Sequence, residues 1–320
     1  MMQRNENALL MAWMTHYASL FGARNLTVLD NGSDDPVTLR LLAHVERVGV
    51  QVDRTAAHPG DFQAKGLHFA ERIREWDREG GYDFALPVDC DEFLSFVGDE
   101  GIVVDRAAIL GEFARLLAYR CAFRIDTSLF NVPYRPGWFA VDPLFHKGFI
   151  PAGGVDLIDN GQHMPNSRLE DGFRVTRLTY LHWHNRPFAE MRVRAREKIG
   201  TSLIDPTDPV ALRRYAEVPQ AHGQHLIPVL LHDEAAYRAR YDGALQVCVP
   251  GMTSPGGAAL ASGAPLWIKG AGRGMEGVWE WSAERYLEAN PDVKAFELGP
   301  LHHFLRYGAY ERRRVQPASS

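Results

Sequence analysis

The run FALPVDCDEFL, residues 84–94, places Asp89, Asp91 and Glu92 at the end of an apolar approach. A buried carboxylate without partners is costly, so acids at the edge of a buried segment call for a cation or several hydrogen-bond donors. In extended chain, residues two apart face the same way. Asp89 and Asp91 can then offer two hard oxygen ligands to one divalent ion. A strand ending in a solvated acidic turn explains a bare D-x-D as readily. Another acid, Asp30, closes the apolar run 26–29 and is followed by NGSDDP. Further on, His182 and His184 alternate in LTYLHWHN and would share one face of a strand. For each histidine taken singly, a satisfied structural role is the simpler reading.

These groups need elements to aim them. Leu9, Leu10, Trp13, Met14, Tyr17 and Leu20 recur at helical spacing, and Gly22 is a stop signal. Residues 26–29, 50–52 and 84–88 read as buried strands, and 37–48 and 62–79 as helices. Strands alternating with helices imply a parallel α/β sheet with right-handed crossovers, in which ligands bind beyond the carboxyl ends of the strands. Asp30 and the DCDE cluster both fall at such ends. Beyond them, 103–118 reads as a helix, 121–126 as a strand, 127–175 as short strands among Gly, Pro and aromatics, and 188–199 as a helix. Residues 250–265, PGMTSPGGAALASGAP, have the composition of a linker.

The 320 residues, 46% apolar and 23% charged, suffice for one large domain or two moderate ones with a full core. A net charge of −5 gives no basic field for a nucleic-acid partner. Cys90, Cys121 and Cys248 have no C-x-x-C spacing, so neither a zinc site nor a disulfide framework is implied. No apolar run approaches a membrane span, and MMQRNENALLMAWMTHY lacks the apolar stretch of a signal peptide. A cytoplasmic location is expected, with peripheral contact at the inner face of the membrane and the oligomeric state both left open.

Three groups of residues follow one another at a recognisable spacing. They are Arg4-Asn5-Glu6 with Trp13, His16-Tyr17, Leu20 and Gly22; Asp30-Asn31-Gly32-Ser33-Asp34-Asp35; and Asp89-Cys90-Asp91-Glu92-Phe93-Leu94. Over about residues 4–200 the chain resembles the GT-A glycosyltransferases, specifically the family 2-like and family 92-like enzymes. The resemblance implies a GT-A fold over 1–250, an α/β, Rossmann-like and mostly parallel sheet. The nucleotide-sugar half would occupy about 1–100 and the acceptor half about 101–250. It also implies a nucleotide-sugar donor, UDP-linked as the first expectation, a saccharide or lipid-linked acceptor, and Mn2+ or Mg2+.

By the same resemblance Asp91 would hold the ion, and Asp89 would share it or contact the ribose or a metal-bound water. Asp30 would accept a hydrogen bond from the base of the donor. His184 or His182 would complete the metal shell or touch the diphosphate, with Arg186 and Lys198 as further diphosphate contacts. Lys147 would hold a phosphate or the acceptor, with a surface lysine as the alternative. His163 stands where members often carry a glycine-histidine pair. Glu92 would orient a water or pair with an arginine. The catalytic base is not singled out among Asp126, Asp142, Asp156, Glu170 and Asp171.

The chain departs from the pattern in two places. Members begin with an apolar strand ahead of the Asn-Glu motif, and only MMQR precedes Asn5, so that strand is expected to be absent. Asn185-Arg186-Pro187 stands where members more often have Arg followed by Ser. Residues 281–315 carry Tyr286-Leu287, Asn290-Pro291-Asp292-Val293, His303-Phe304-Leu305 and Tyr307-Gly308. This stretch resembles a small helical module found beside bacterial surface-polysaccharide glycosyltransferases. It makes 276–320 an accessory module behind a linker at 251–275. The expected activity is metal-dependent, inverting sugar transfer in surface polysaccharide assembly. The alternatives are a sugar nucleotidyltransferase, which normally needs a Gly-rich basic loop not seen here, and a non-catalytic degenerate transferase acting as a binding protein.

Overall fold

The computed structural model describes residues 1–200, 205–219, 223–257, 264–270 and 277–315. Strands Met2–Gln3 (β1), Thr27–Asp30 (β2) and Gln51–Asp53 (β3) form a parallel three-stranded sheet. A strand therefore does precede the Asn-Glu motif where none was expected, two residues long, with Met2 opposite Leu29 and Gln3 opposite Asp30. It holds because Met1 and Met2 are buried and the ladder continues from Leu29 N–H to the Met1 carbonyl and from Asn31 N–H to the Gln3 carbonyl, each 2.8 Å.

Helix α1 (Leu10–Phe21) buries Leu10, Trp13, His16, Tyr17 and Leu20, and ends at Gly22, whose φ of 87° suits a residue without a Cβ. Helix α2 (Pro36–Arg47) is capped by Asp35, whose Oδ2 accepts the Thr38 N–H at 2.7 Å. Helix α3 (Lys65–Glu79) follows a 3-10 segment at Pro59–Ala64. The next strand, Phe84–Ala85 (β4), is shorter than expected. Residues 86–91 leave the ladder, and Cys90 and Asp91 turn, with the Glu92 N–H donating to the Asp89 carbonyl at 3.2 Å. Asp89 and Asp91 therefore do not share a strand face, and the turn aims them apart.

The chain continues through Glu92–Val97 (β5), Ile102–Val103 (β6), α4 (Arg106–Leu116), Ala122–Ile125 (β7), Ser128–Asn131 (β8), Trp138–Asp142 (β9) and Lys147–Pro151 (β10). Next come Val155–Leu157 (β11), Asn166–Ser167 (β12), Phe173–Val175 (β13), Leu178–His182 (β14), and helices α5 (Phe188–Gly200), α6 (Pro209–Ala216), α7 (Ile227–Leu231) and α8 (Glu234–Asp242). Last are Gln246–Cys248 (β15), Trp267–Lys269 (β16), Val278–Glu280 (β17), α9 (Ala283–Ala289) and α10 (Pro300–His303).

One sheet has the order β13-β7-β10-β4, and an eight-stranded sheet runs β17-β16-β15-β9-β8-β14-β5-β6. Among their described pairs, β13–β7 and β14–β8 are parallel and the others antiparallel. The mostly parallel arrangement thus describes only the first three strands. Short connections such as those from β5 to β6 and from β8 to β9 join antiparallel neighbours, because a parallel partner needs a long crossover. The protein is mixed α/β.

One apolar cluster unites Leu10 and Trp13 of α1, Phe93 of β5, Phe139 of β9 and Val247 of β15 with Trp281, Tyr286 and Phe304. Of the segment expected to be a linker, 258–263 and 271–275 lie outside the described residues, as do 276 and 316–320 of the accessory module. The described part contains β16, paired on one side with β15 and on the other with β17. Among the described residues no helix is long and apolar enough to cross a membrane.

Candidate metal and diphosphate site

Strand β14 pairs antiparallel with β5, placing His182 opposite Glu92 and Leu181 opposite Phe93. The Trp183 N–H donates to the Asp91 carbonyl at 2.7 Å and carries the ladder past the ends of both strands. His182 and His184 thereby flank Asp91. His182 Nε2 lies 3.3 Å from Asp91 Oδ1, and His184 Nδ1 lies 3.4 Å from Oδ2. One ligand atom from each of the three side chains falls within 4.8 Å of the others.

This donor set fits a divalent first-row ion. A carboxylate with two imidazoles suits Mn2+ or a later metal better than Mg2+, which prefers oxygen alone. Burial alone would raise the Asp91 pKa, but the two imidazoles outweigh it and hold the carboxyl well below the usual carboxylate range. Burial would likewise lower the His182 pKa, but the Asp91 carboxylate outweighs it and the net shift is upward.

Asp89 points the other way. Its Oδ1 accepts from Lys65 Nζ at 2.6 Å and its Oδ2 from Lys147 Nζ at 3.1 Å. Lys147 also lies 2.8 Å from Glu92 Oε1 and donates to Gln162 Oε1 at 3.3 Å. Glu92 Oε2 accepts the Asp89 N–H at 2.8 Å. Lys147 is only 2% exposed, so it is no surface lysine, and Glu92, at 0%, pairs with this lysine rather than with an arginine. Burial opposes ionisation of both Asp89 and Lys147. Lys147 and Lys65 nonetheless hold the Asp89 pKa well below its ordinary value, and Asp89 and Glu92 push the Lys147 pKa up. Asp89, expected beside Asp91 on the ion, thus has both oxygens engaged by lysines and lies outside the three-residue cluster.

Sequence reasoning does not single out Lys65. The available signal is its place at the first residue of α3, where the helix dipole disfavours a cation unless an acid stands close by.

Asp30, at the end of β2, is buried. Its Oδ1 accepts from Gln3 Nε2 at 2.7 Å, from Ser33 Oγ at 2.6 Å and from the Ser33 N–H at 3.3 Å. Asn5 clamps the same loop, its Oδ1 accepting the Asp34 and Asp35 N–H groups at 3.0 Å each while Nδ2 donates to Asp34 Oδ1 at 2.7 Å. Glu6 Oε1 accepts the Ala8 and Leu9 N–H groups at 3.2 and 3.1 Å, and its Oε2 lies 3.5 Å from Arg194. The Asn-Glu and DNGSDD motifs are therefore two halves of one interlocked pair of loops.

Arg186 Nη1 donates to the Trp183 carbonyl at 3.0 Å. Burial and Arg194 lower its pKa against the pull of Glu6 and Asp91. Burial and Lys65 lower the Lys198 pKa against the pull of Asp89 and Asp91, which places this lysine in the same field. The His225 ring lies 5.6 Å from that of His184, and His163 Nδ1 lies 2.7 Å from the His146 carbonyl.

Among the acids considered for the base, Asp126 is held by His302 and Arg306, Asp142 Oδ1 accepts the Leu144 and Phe145 N–H groups, and Glu170 accepts the Arg120 N–H. Asp156 and Asp171 are exposed. An open groove of about 570 Å³, lined in part by Asp126, Glu170, Phe173 and Tyr307, shares no residue with the Asp/His cluster. Comparison with known protein families finds none that matches the chain, and none of the curated proteins matches it.

Proposed function

We propose that the protein is a metal-dependent glycosyltransferase. It would move a sugar from a nucleotide-diphosphate donor, UDP-linked in the first instance, to a saccharide or lipid-linked acceptor in surface polysaccharide assembly on the cytoplasmic side of the membrane. The reading is carried by one observation: Asp91, His182 and His184 meet within ligand distance beside a carboxylate, Asp89, clamped between two lysines. The order of the Asn-Glu, DNGSDD and DCDEF motifs supports it.

Asp91, His182 and His184 would hold Mn2+ in preference to Mg2+, because imidazole suits the former. A bound ion supplies countercharge to the departing diphosphate. Lys65 and Lys147 keep Asp89 ionised and fixed in direction, so it can accept a hydrogen bond from a donor hydroxyl such as those of ribose. Lys198 and Arg186 add positive potential around Asp91, where an anionic donor needs it. Inversion at the sugar carbon is the expected outcome.

The test is UDP binding by calorimetry on the wild type and on Asp91→Ala, with Mn2+ and with EDTA. Saturable binding is expected only for the wild type with Mn2+. UDP binding that survives both EDTA and the substitution would sink the reading.

A further inference from the structure

A metal-binding imidazole is usually aimed by a hydrogen bond at its other ring nitrogen. The Nδ1 of His182 is buried and finds no hydrogen-bond partner among the described residues. Its ring is held by packing instead. The Phe130 ring, on the neighbouring strand and in register with His182, lies 4.5 Å away, and the Phe145 ring lies 5.6 Å away. Phe145 also meets Phe130 at 5.1 Å and His163 at 5.0 Å, edge to face in both cases.

Phe145 sits on the connection from β9 to β10, which leads directly to Lys147. Two devices shape that connection. From within, Asp142 Oδ1 accepts the Leu144 and Phe145 N–H groups at 2.9 and 3.0 Å. From outside, Arg306 donates through Nη1 to the Pro143 carbonyl. The same guanidinium places its Nε 3.3 Å from Asp126 Oδ2, whose other oxygen lies 3.0 Å from His302 Nε2. Arg306 therefore ties the end of the chain both to the end of β7 and to the connection that packs Phe145 on His182.

We propose that Arg306 is a positioning residue for the Asp91/His182/His184 cluster and that it acts through Phe145. This gives the C-terminal segment a function in completing the metal site, and it rests on the reading that the cluster holds a divalent ion. The guanidinium hydrogen-bonds Pro143 through Nη1 while it stands in an ion pair with Asp126, a reach across two partners that the single nitrogen of a lysine does not offer.

Co2+ titration of the full chain, followed by its visible absorption, tests the proposal in the wild type, Asp91→Ala, Arg306→Ala, Phe145→Ala and the Arg306→Ala/Phe145→Ala double variant. Both single changes at Arg306 and Phe145 are expected to weaken Co2+ binding about tenfold or more and to alter the absorption bands. The double variant is expected to be no worse than the weaker-binding single variant, because both changes release the same ring.

Wild-type affinity and spectrum in folded Arg306→Ala would overturn the inference, as would additive losses in the double variant. Should Arg306→Ala not fold, Arg306→Lys keeps a charge beside Asp126 but has one nitrogen for two partners. An unchanged spectrum there overturns the proposal equally. A wild-type chain that takes up no Co2+, or no more than Asp91→Ala, fails the metal reading itself and takes the inference with it.

Discussion

His16 holds the strand that carries the site. Its Nε2–H donates to the Leu94 carbonyl at 2.9 Å, while Tyr17 donates to the Glu92 carbonyl at 3.0 Å and accepts the Leu94 N–H at 3.2 Å. Two neighbours on α1 thus grip the backbone of β5 just beyond Asp91. Burial lowers the His16 pKa from 6.5 to about 4, with the Leu94 carbonyl opposing it only in part. Between those values the unfolded chain binds a proton that the folded chain refuses, so stability falls as pH drops through that window. The loss is on the order of 3 kcal/mol. His16→Gln keeps a donor and removes the titration. Urea midpoints followed from pH 6.5 downward should therefore fall less steeply in the variant than in the wild type. Equal slopes would assign the acid sensitivity to another group. At this scale the residue types of the cluster were legible, since acids at a strand end and paired histidines announce themselves by type. Partner choice was not, because Asp89 and Asp91 look alike in sequence and a single turn sends them to opposite partners.

Elements divide by how local their signals are. Helices α1, α2 and α3 follow from apolar spacing, the Asp35 cap and the Gly22 stop, all encoded within a few residues. Strands β1 and β4 have two residues each and exist only because a neighbour pairs with them. The start of α3 depends on an approach that the sequence conceals. A Cβ on Gly66 would stand 2.2 Å from the Ile158 carbonyl oxygen, and the Gly66 N–H donates to Asn160 Oδ1 at 3.0 Å. That loop continues to Gln162, which holds Lys147, while α3 itself carries Lys65. Gly66→Ala should therefore cost about 1–3 kcal/mol in urea unfolding and weaken Mn2+-dependent UDP binding together with it. A variant with unchanged stability and unchanged binding would mean that the loop moves aside freely.

Across the whole molecule, the apolar cluster that contains Phe93 and Phe139 also contains Trp281, Tyr286 and Phe304. Phe304 is completely buried, with rings of Trp281 and Tyr286 at 5.1 and 5.6 Å. Phe304→Ala should cost about 3–5 kcal/mol and lower the main calorimetric transition of the chain. A separate early transition, with the main one unmoved, would mean that the C-terminal segment unfolds by itself. Sequence alone determined helices α1 to α5 in outline with the Gly22 stop, the chemical types gathered at the DCDEF turn, and the α/β class. Tertiary structure decided that Asp91 meets His182 and His184, that Asp89 meets Lys65 and Lys147, and that Arg306 reaches Pro143. The physical reason is that such meetings depend on strand register and on turns between distant segments. A slip of one residue between β5 and β14 would turn His182 to the opposite face and leave Asp91 without it.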